Sequence, residues 1–282
     1  MKGLPEGKPF TFSTGSAVPN QAFLEIHKSF CITSVFCGKV NTVDYAKDVT
    51  VVKQFTALIL LISILCFPAR ADAEEKLVAL TFDDGPSGRY TRRLLEGLEA
   101  RDAKATFLLC GYRMEQYPEL TEQIHRQGHE IGLHGYSHKS MQKMCEKEVA
   151  QEIRKTMALI PAGCNVNFLR PPGGLCGKCV QAATTDSGLA ILSWSVDPKD
   201  WATDDVAAIK KDVISNVRDG DVILLHDMSD SSVDAALMII DRLKQQGFRF
   251  VTASELAKAR NITLIPGAKY TRFYQTDWQE RK

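Results

Sequence analysis

Two adjacent carboxylates, Asp83 and Asp84, follow an apolar stretch of the sequence and precede Gly85 and Pro86. Neighbouring side chains in a loop point in different directions, so one carboxylate could ligate a metal while the other accepts a proton. A strand that ends in an ordinary β-turn is the simpler interpretation, and this string alone favours it. A catalytic role therefore depends on which other residues lie nearby.

Two imidazoles, His134 and His138, are four positions apart. On a helical turn this spacing places both rings on one face, where they can bind one metal ion. Gly135 stands where a zinc protease of the His-Glu-x-x-His type needs its glutamate, so that class is excluded. With Asp84 as a third ligand, the set leaves an open position for water or substrate, as catalytic zinc sites require.

Three further strings combine charged or ring side chains with turn-forming residues. Arg170 precedes two prolines and then Gly173 and Gly174, so a fixed backbone would bring main-chain N–H groups close to a ligand. The other two strings are Asp197-Pro198-Lys199-Asp200-Trp201 and Leu224-Leu225-His226. The alternative for the string after Arg170 is a rigid turn. The alternative for the second string is a surface turn, and for His226 it is a hydrogen-bonded histidine at the rim of the sheet.

Short apolar runs alternate with helix-like stretches and indicate which elements position these residues. The seven predicted strands are Leu77–Phe82, Ala105–Leu109, Glu130–Leu133, Val166–Leu169, Ala190–Ser193, Val222–Leu225 and Phe248–Val251. This alternation indicates βα units and a parallel sheet. Catalytic residues in such sheets collect beyond the C-terminal ends of the strands. Five candidates follow strands in this way: Asp83, His134, Arg170, Asp197 and His226.

The composition is that of an ordinary globular protein. Apolar residues make up 44% and charged residues 24% of the 282 residues, which excludes a wholly disordered or fibrous chain. The 35 basic and 34 acidic side chains give a net charge of +1. Because no charge is in excess, neither a nucleic acid nor an anionic membrane surface is expected as a partner.

An apolar run from Phe55 to Phe67 has the character of a secretory signal peptide. It is too short to cross a bilayer, which takes about 20 residues as a helix. Lys53 precedes the run and a small-x-small cleavage site, Ala71-Asp72-Ala73, follows it, so residues 51–73 are predicted to be a signal peptide. A short buried helix or an uncleaved anchor is the alternative.

Residues 1–50 precede this segment and show neither helical nor strand periodicity. We interpret them as a non-native stretch upstream of a start at Val51 or Val52, or as a disordered extension. Residues 74–282 then form one exported domain, periplasmic or extracellular, with no stable membrane span after cleavage of the signal.

Five strings in chain order, TFDDGP, HGYSH, RPPGG, DPKDW and LLH, resemble the motifs of the NodB-homology polysaccharide deacetylases, carbohydrate esterase family 4. The likeness covers about residues 76–258. It implies an α/β fold, a distorted and incomplete (β/α) barrel with about seven parallel strands. It also implies metal-dependent removal of N-acetyl or O-acetyl groups from an acetylated polysaccharide or oligosaccharide. A cell-envelope or chitin-like polymer of N-acetylglucosamine is the substrate expected for an exported single domain.

The resemblance assigns roles position by position. Asp83 becomes the catalytic base and His226 the general acid. The implied metal ligands are Asp84, His134 and His138, with Zn²⁺ as the default and Co²⁺ or another divalent metal as the alternative. The implied supporting residues are Arg170, which holds Asp83; Asp200, which tunes His226; Gly173, whose N–H binds the oxyanion; and Trp201 and Leu224, which wall the acetyl pocket.

Two positions depart from the family pattern. Gly135 replaces a serine or threonine after the first metal histidine, so a loop-stabilising hydroxyl is missing. Gly173 replaces an aromatic residue; it keeps the main-chain N–H and loses the aromatic wall of the groove. These departures bear on substrate preference and leave the chemistry in place.

Two other functions compete with deacetylation. A redox protein would use Cys176 and Cys179, which have thioredoxin-like spacing at a predicted helix start. That function explains none of the five motifs. A glycan-binding relative that has lost its catalysis is the second alternative, although every catalytic position carries the expected residue type.

The predicted exported domain has an odd number of cysteines: Cys110, Cys145, Cys164, Cys176 and Cys179. An oxidising compartment permits disulfides. Barrel topology places four of these residues on the catalytic face and Cys164 at the opposite end. We therefore expect one or two disulfides among the four, bracing the catalytic loops, and a free thiol at Cys164. Small buried thiols or a structural metal site are the alternatives.

Overall fold

The structure is a computed structural model that describes residues 75–274. The predicted extension and signal peptide, residues 1–73, lie outside the described residues. The predicted domain from 74 to 282 is described over nearly all of its length.

The seven predicted strands are all present within the described residues. They are β1 (Lys76–Asp83), β2 (Thr106–Leu109), β3 (Glu130–Leu133), β4 (Phe168–Leu169), β5 (Ala190–Leu192), β6 (Val222–His226) and β7 (Phe248–Val251). A short additional strand, β8 (Lys269–Tyr270), comes near the end of the described chain. β2, β3, β4 and β5 are buried along their whole length and β1 in all but its first residue, which is why these strands appear in the sequence as short, largely apolar runs.

Helices fill the connections between the strands. They are α1 (Gly88–Glu99), α2 (Gly111–Gln116), α3 (Pro118–Arg126), α4 (Glu146–Met157), α5 (Lys178–Asp186), α6 (Val206–Asn216), α7 (Asp230–Gln245) and α8 (Ala253–Ala259). Two 3₁₀ turns, Met141–Lys143 and Pro172–Gly174, lie in the loops after β3 and β4. None of the helices between residues 75 and 274 combines the length and apolar character that a membrane crossing requires.

The strands form a curled parallel half-barrel. Its order is β6-β1-β2-β3-β4-β5-β8, and β7 pairs with the first half of β1. The second half of β1 pairs with β6 on the same edge, in a register that places Asp83 opposite His226. The predicted incomplete (β/α) barrel with seven parallel strands is therefore confirmed, with one short strand added.

A parallel bridge joins the segment after β5 to β6. Beyond β5 the chain approaches β6, where Val196 pairs with Ile223 in the parallel sense. The N–H of Leu224 donates to the carbonyl of Val196 at 2.9 Å. The segment that carries Asp197 and Asp200 is thereby held against the strand that carries His226.

Candidate active site

Asp83 and Asp84 lie at the end of β1. Asp83 is the last residue of the strand and is buried. Asp84 follows it, half-buried, with a positive φ of 73°, an uncommon conformation for a residue with a side chain. Both carboxylates approach one imidazole: His134 Nε2 lies 3.7 Å from Asp83 Oδ2 and 3.2 Å from Asp84 Oδ1. The two neighbours therefore differ in burial and backbone conformation while they share one neighbouring histidine.

Asp84, His134 and His138 present a cluster of metal-ligand atoms. One ligand atom from each residue lies within 4.8 Å of the others, and Asp84 Oδ1 is 2.9 Å from His138 Nε2. Asp84 Oδ1 is buried and has no hydrogen bond of acceptable geometry. Atoms that share one tetrahedral zinc lie roughly 3–3.5 Å apart. A buried carboxylate oxygen that faces two imidazole nitrogens fits a divalent metal.

The tautomer of His134 also suits metal binding. Its Nδ1 lies 2.7 Å from the carbonyl oxygen of Arg170 and can only donate there, which leaves the lone pair of Nε2 directed at Asp84. The expectation that the two histidines share a helical turn is wrong. They lie in the loop that follows β3, where Gly135 and His138 both have positive φ, and the loop brings the rings together.

Electrostatics in this cluster favour a cation. Burial opposes the charge of Asp84, but the imidazoles of His134 and His138, 3.2 and 2.9 Å from its Oδ1, outweigh burial and hold the pKa of Asp84 well below its usual range. The nearby carboxylate of Asp84 in turn raises the pKa of His138. The carboxylate is therefore ionised at neutral pH, as a metal ligand must be.

Arg170 is fully buried beside Asp83. Its Nη1 donates to Asp83 Oδ1 at 2.6 Å and to Thr81 Oγ1 at 2.9 Å. Its Nε and Nη2 donate to the carbonyls of Leu192 and Ser193. A buried guanidinium that makes four hydrogen bonds holds its carboxylate partner in one orientation. Arg170 therefore fixes the position of the Asp83 carboxylate.

His226 and Asp200 form a second pair on the same edge of the barrel. His226 Nδ1 lies 2.8 Å from Asp200 Oδ1, and the N–H of His226 donates to Asp200 Oδ2 at 2.8 Å. Burial by itself would lower the pKa of His226, but Asp200 outweighs burial and raises that pKa to about 9. The imidazole is therefore protonated at neutral pH, and its Nε2 is left to donate.

Part of the predicted site opens into a cavity of about 350 Å³. Its lining includes Asp84, Asp200, Trp201, His226 and Met228. Trp201 is 65% exposed and stands at the rim. Leu224, the other predicted wall residue, is only 3% exposed, within β6.

Gly173 lies in the 3₁₀ turn after β4 with a φ of 71°. No heavy atom lies within 4 Å of the position that a Cβ would occupy there. The groove beside this residue is open, as the absence of an aromatic side chain predicts.

Sequence reasoning did not single out two residues that support the site. Trp194 lies against Arg170, with its ring centroid 5.6 Å from the guanidinium carbon. Asp227 is fully buried under Gly85 and accepts a hydrogen bond from Thr91 Oγ1. Burial raises the pKa of Asp227 to about 7. The position of Asp227 directly after His226 is the sequence feature that could have identified it. No sequence feature pointed to Trp194.

The predicted disulfides are wrong for this structure. All five cysteines between residues 75 and 274 are free thiols. Cys110 is buried where α2 begins, and burial raises its pKa, which makes it unreactive. Cys145 is exposed at the start of α4. Cys176 is half-buried and packs against the apolar cluster around β3 and α4, so Cys110 alone among the five fits the alternative of small buried thiols.

Comparison with known proteins places this arrangement in a family. The family model "Polysaccharide deacetylase" matches residues 70–192. A peptidoglycan-N-acetylglucosamine deacetylase of Bacillus cereus is 36% identical over 193 residues, which cover 66% of this chain and 91% of that protein.

Two solved structures share the fold. Peptidoglycan deacetylase PdaC of Bacillus subtilis is 33% identical with a TM-score of 0.64, over 67% of this chain and 93% of that one. A family 4 acetyl xylan esterase from Clostridium thermocellum, in complex with a cobalt ion, is 33% identical with a TM-score of 0.65, over 70% and 98%. Identity at this level over almost the whole of these proteins means that this chain belongs to the polysaccharide deacetylases, the hydrolases of carbohydrate esterase family 4.

Proposed function

We propose that this protein is a metal-dependent deacetylase that removes N-acetyl groups from a glycan containing N-acetylglucosamine. One observation carries the proposal: the ligand atoms of Asp84, His134 and His138 converge beside the buried carboxylate of Asp83. The protonated imidazole of His226 opens into the same cavity as Asp84. A ligand cluster, a base and an acid around one cavity suit hydrolysis of an acyl group.

Asp84, His134 and His138 would hold the metal. Two imidazoles and one carboxylate suit zinc and also cobalt, and the acetyl xylan esterase of similar structure was solved with cobalt. A divalent metal bound there would polarise the acetyl carbonyl and lower the pKa of a water molecule.

The side chains around the cluster supply the proton transfers. Asp83, held by Arg170, accepts the proton of the attacking water as the new C–O bond forms at the acetyl carbon. The main-chain N–H of Gly173 donates to the oxyanion, an interaction whose loss typically costs ~10²–10³ in rate. His226 then donates its proton to the leaving nitrogen as the C–N bond breaks, which yields acetate and an amine.

The state of His226 favours an amide over an ester substrate. An amine is a poor leaving group and departs only when it receives a proton in the transition state. Asp200 raises the pKa of His226 to about 9, so the proton is available at neutral pH. The Bacillus cereus relative and PdaC are named as peptidoglycan deacetylases, and a cell-envelope glycan is our proposed substrate.

We also propose that the protein is exported, because a cell-envelope glycan lies outside the cytoplasm. The apolar run from Phe55 to Phe67 with the site Ala71-Asp72-Ala73 supports cleavage of a signal peptide and release to the periplasm or the exterior. N-terminal sequencing of the native protein tests this proposal. An N-terminus near Glu74 supports export, whereas native peptides from residues 3–40 overturn the proposed start at Val51 or Val52.

Acetate release tests the activity directly. The metal-free protein would be assayed with peptidoglycan, chitooligosaccharides and acetylated xylan after addition of Zn²⁺, Co²⁺ or no metal. We expect release from the N-acetylated substrates only after metal is added, and loss of that release with a chelator. Asp186→Asn serves as a control, because it removes an exposed carboxylate at the end of α5 that is not part of the ligand cluster.

Each outcome has a definite meaning. Release from acetylated xylan alone would contradict the N-acetyl preference and leave the hydrolase chemistry in place. Release that is unchanged by chelation would contradict the metal site. No release from any substrate, with glycan binding retained, would favour the non-catalytic alternative.

A further inference from the structure

Glu152, in the middle of α4, contacts the loop between the two metal-ligand histidines. Its Oε2 accepts the N–H of Tyr136 and the N–H of Ser137, both at 2.8 Å. The hydroxyl of Ser137 donates to the same carboxylate, 3.0 Å from each oxygen. One side chain therefore accepts three hydrogen bonds from consecutive residues between His134 and His138.

The opposite side of this loop is bonded to α2 by two backbone hydrogen bonds and by the hydroxyl of Tyr136. The N–H of Gly111 donates to the carbonyl of Gly135 at 2.9 Å, and the N–H of Tyr112 donates to the carbonyl of Tyr136 at 3.0 Å. The carbonyls of the loop are thus fixed by α2 and its amides by Glu152. Removal of Glu152 would free one side of the loop and leave the other bonded.

The two histidines differ in what orients them. The Nδ1 of His134 has its own partner, the carbonyl of Arg170. In the part of the chain from 75 to 274, no hydrogen bond is found for the Nδ1 of His138, whose side chain is 42% exposed. The backbone at His138 has a φ of 56°, a conformation that costs energy for a residue with a side chain. The position of His138 therefore depends on the loop backbone.

Position 135 cannot supply this support. Gly135 has no hydroxyl, and its φ is 78°. A Cβ there would lie 2.7 Å from Met141 Cε and 3.3 Å from Glu152 Oε2, so a larger residue would press on both. The loop does carry a hydroxyl at Ser137, and that hydroxyl donates a hydrogen bond to the carboxylate of Glu152.

We propose that Glu152 is a positioning residue for the metal site, which holds the loop so that His138 faces Asp84 before the metal binds. This inference rests on the proposed function, in which Asp84, His134 and His138 ligate the metal. Residues that orient a metal ligand from outside the coordination sphere typically contribute about 10–100-fold to metal affinity.

Variants of Glu152 and measurements of metal binding test the proposal. Zn²⁺ affinity would be measured by competition with a chromophoric chelator, and the visible spectrum of the Co²⁺ form would report ligand geometry. We expect Glu152→Ala to weaken Zn²⁺ binding by about 10–100-fold and to change the Co²⁺ spectrum. Alanine has the highest helix propensity, so α4 itself is not weakened by the substitution.

The variant Glu152→Gln tests whether Glu152 acts through its hydrogen bonds or through its negative charge. In Glu152→Gln the amide oxygen can still accept both N–H groups, while the amide nitrogen can donate to the Ser137 hydroxyl. Glu152→Gln should therefore recover most of the affinity and a Co²⁺ spectrum like that of the unmodified protein. Gln151→Ala, an exposed neighbour on the same helix, is the matched control and should bind metal normally.

The outcomes separate this inference from the proposed function. If the unmodified protein binds neither Zn²⁺ nor Co²⁺, the metal site fails and the inference fails with it. If the unmodified protein binds metal and Glu152→Ala binds it equally well, only the role of Glu152 is overturned. If Glu152→Ala does not fold by circular dichroism, Ser137→Ala replaces it, with an expected loss of roughly two- to tenfold for one hydrogen bond; an unchanged affinity there overturns the role of Glu152.

Discussion

Arg170 Nη1 lies 2.6 Å from Asp83 Oδ1, and both side chains are buried. The carbonyl oxygen of Arg170 also lies 2.7 Å from His134 Nδ1. One residue thus contacts both the carboxylate that we propose as the base and an imidazole that we propose as a metal ligand. The relative position of these two groups depends on the backbone and the side chain of a single residue at the end of β4.

Replacement of Asp83 by asparagine should abolish turnover and leave metal binding intact. The amide cannot accept the proton of water, and a general base typically contributes about 10²–10⁴-fold. Acetate release and Zn²⁺ affinity would be measured on the same preparation, with Asp186→Asn as the control. Activity within a few-fold of the unmodified protein would remove the base assignment.

Replacement of Arg170 by methionine should lower the free energy of unfolding by about 3–5 kcal/mol, because Asp83 is left as a buried charge without its partner. The double variant with Asp83→Asn removes that charge and should be more stable than Arg170→Met alone. Urea unfolding of the four proteins gives the coupling free energy. Strictly additive effects would mean that the pair does not interact.

Replacement of Asp200 by asparagine should lower the pKa of His226. In the metal-free protein that pKa is raised to about 9 because Asp200 outweighs burial; without the Asp200 carboxylate, burial is opposed only by the charges of Asp83 and Asp84, so the pKa should fall. Because the acid must be protonated, the alkaline fall in activity should move to lower pH. NMR titration of the imidazole measures the shift.

His129 is the internal control for that titration. Burial lowers its pKa to about 4, and it has no contact with Asp200 among the described residues. The His129 titration should be the same in both proteins. A His226 pKa that stays near 9 in the variant would contradict the role of Asp200.

Replacement of Gly85 by alanine should weaken the metal site. A Cβ at this position would lie 2.5 and 2.6 Å from the carboxylate oxygens of Asp227, which is buried and bonded to Thr91 and so cannot easily move. Relief requires a shift of the backbone next to Asp84. Overpacking of this kind costs about 1–3 kcal/mol.

Thermal unfolding and Zn²⁺ affinity of the Gly85 variant check this prediction. Gly177→Ala is the matched control, since no atom lies within 4 Å of its Cβ position. Normal Zn²⁺ affinity in Gly85→Ala would show that Asp84 does not depend on the contact between Gly85 and Asp227.

The elements of the fold could be predicted from the sequence because their signals are local. Buried parallel strands appear as short, largely apolar runs, and β3 and β7 have the bounds predicted from the sequence. β8 could not be predicted in this way. Its two residues, Lys269 and Tyr270, are exposed or half-buried and have a strand conformation only because β5 is beside them.

The identity of the candidate site residues was also available from the sequence. Asp83, His134, Arg170 and His226 each follow a predicted strand, and parallel strands bring their C-terminal ends to one edge. The sequence did not determine the local conformation that joins them. His134 and His138 meet through a loop with positive φ rather than a helical turn, and this depends on contacts with α2 and α4.

What the sequence by itself determined is the set of candidate site residues and the edge on which they gather, because both follow from residue type and strand order. What only the tertiary structure decided is how those groups are held. Glu152 lies on a helix with no motif around it, and Trp194 lies in the segment after β5, yet they support the loop of His138 and the guanidinium of Arg170. The cysteines likewise stay apart as thiols. Such contacts depend on how helices and loops pack against the barrel, and residue spacing along the chain does not fix that packing.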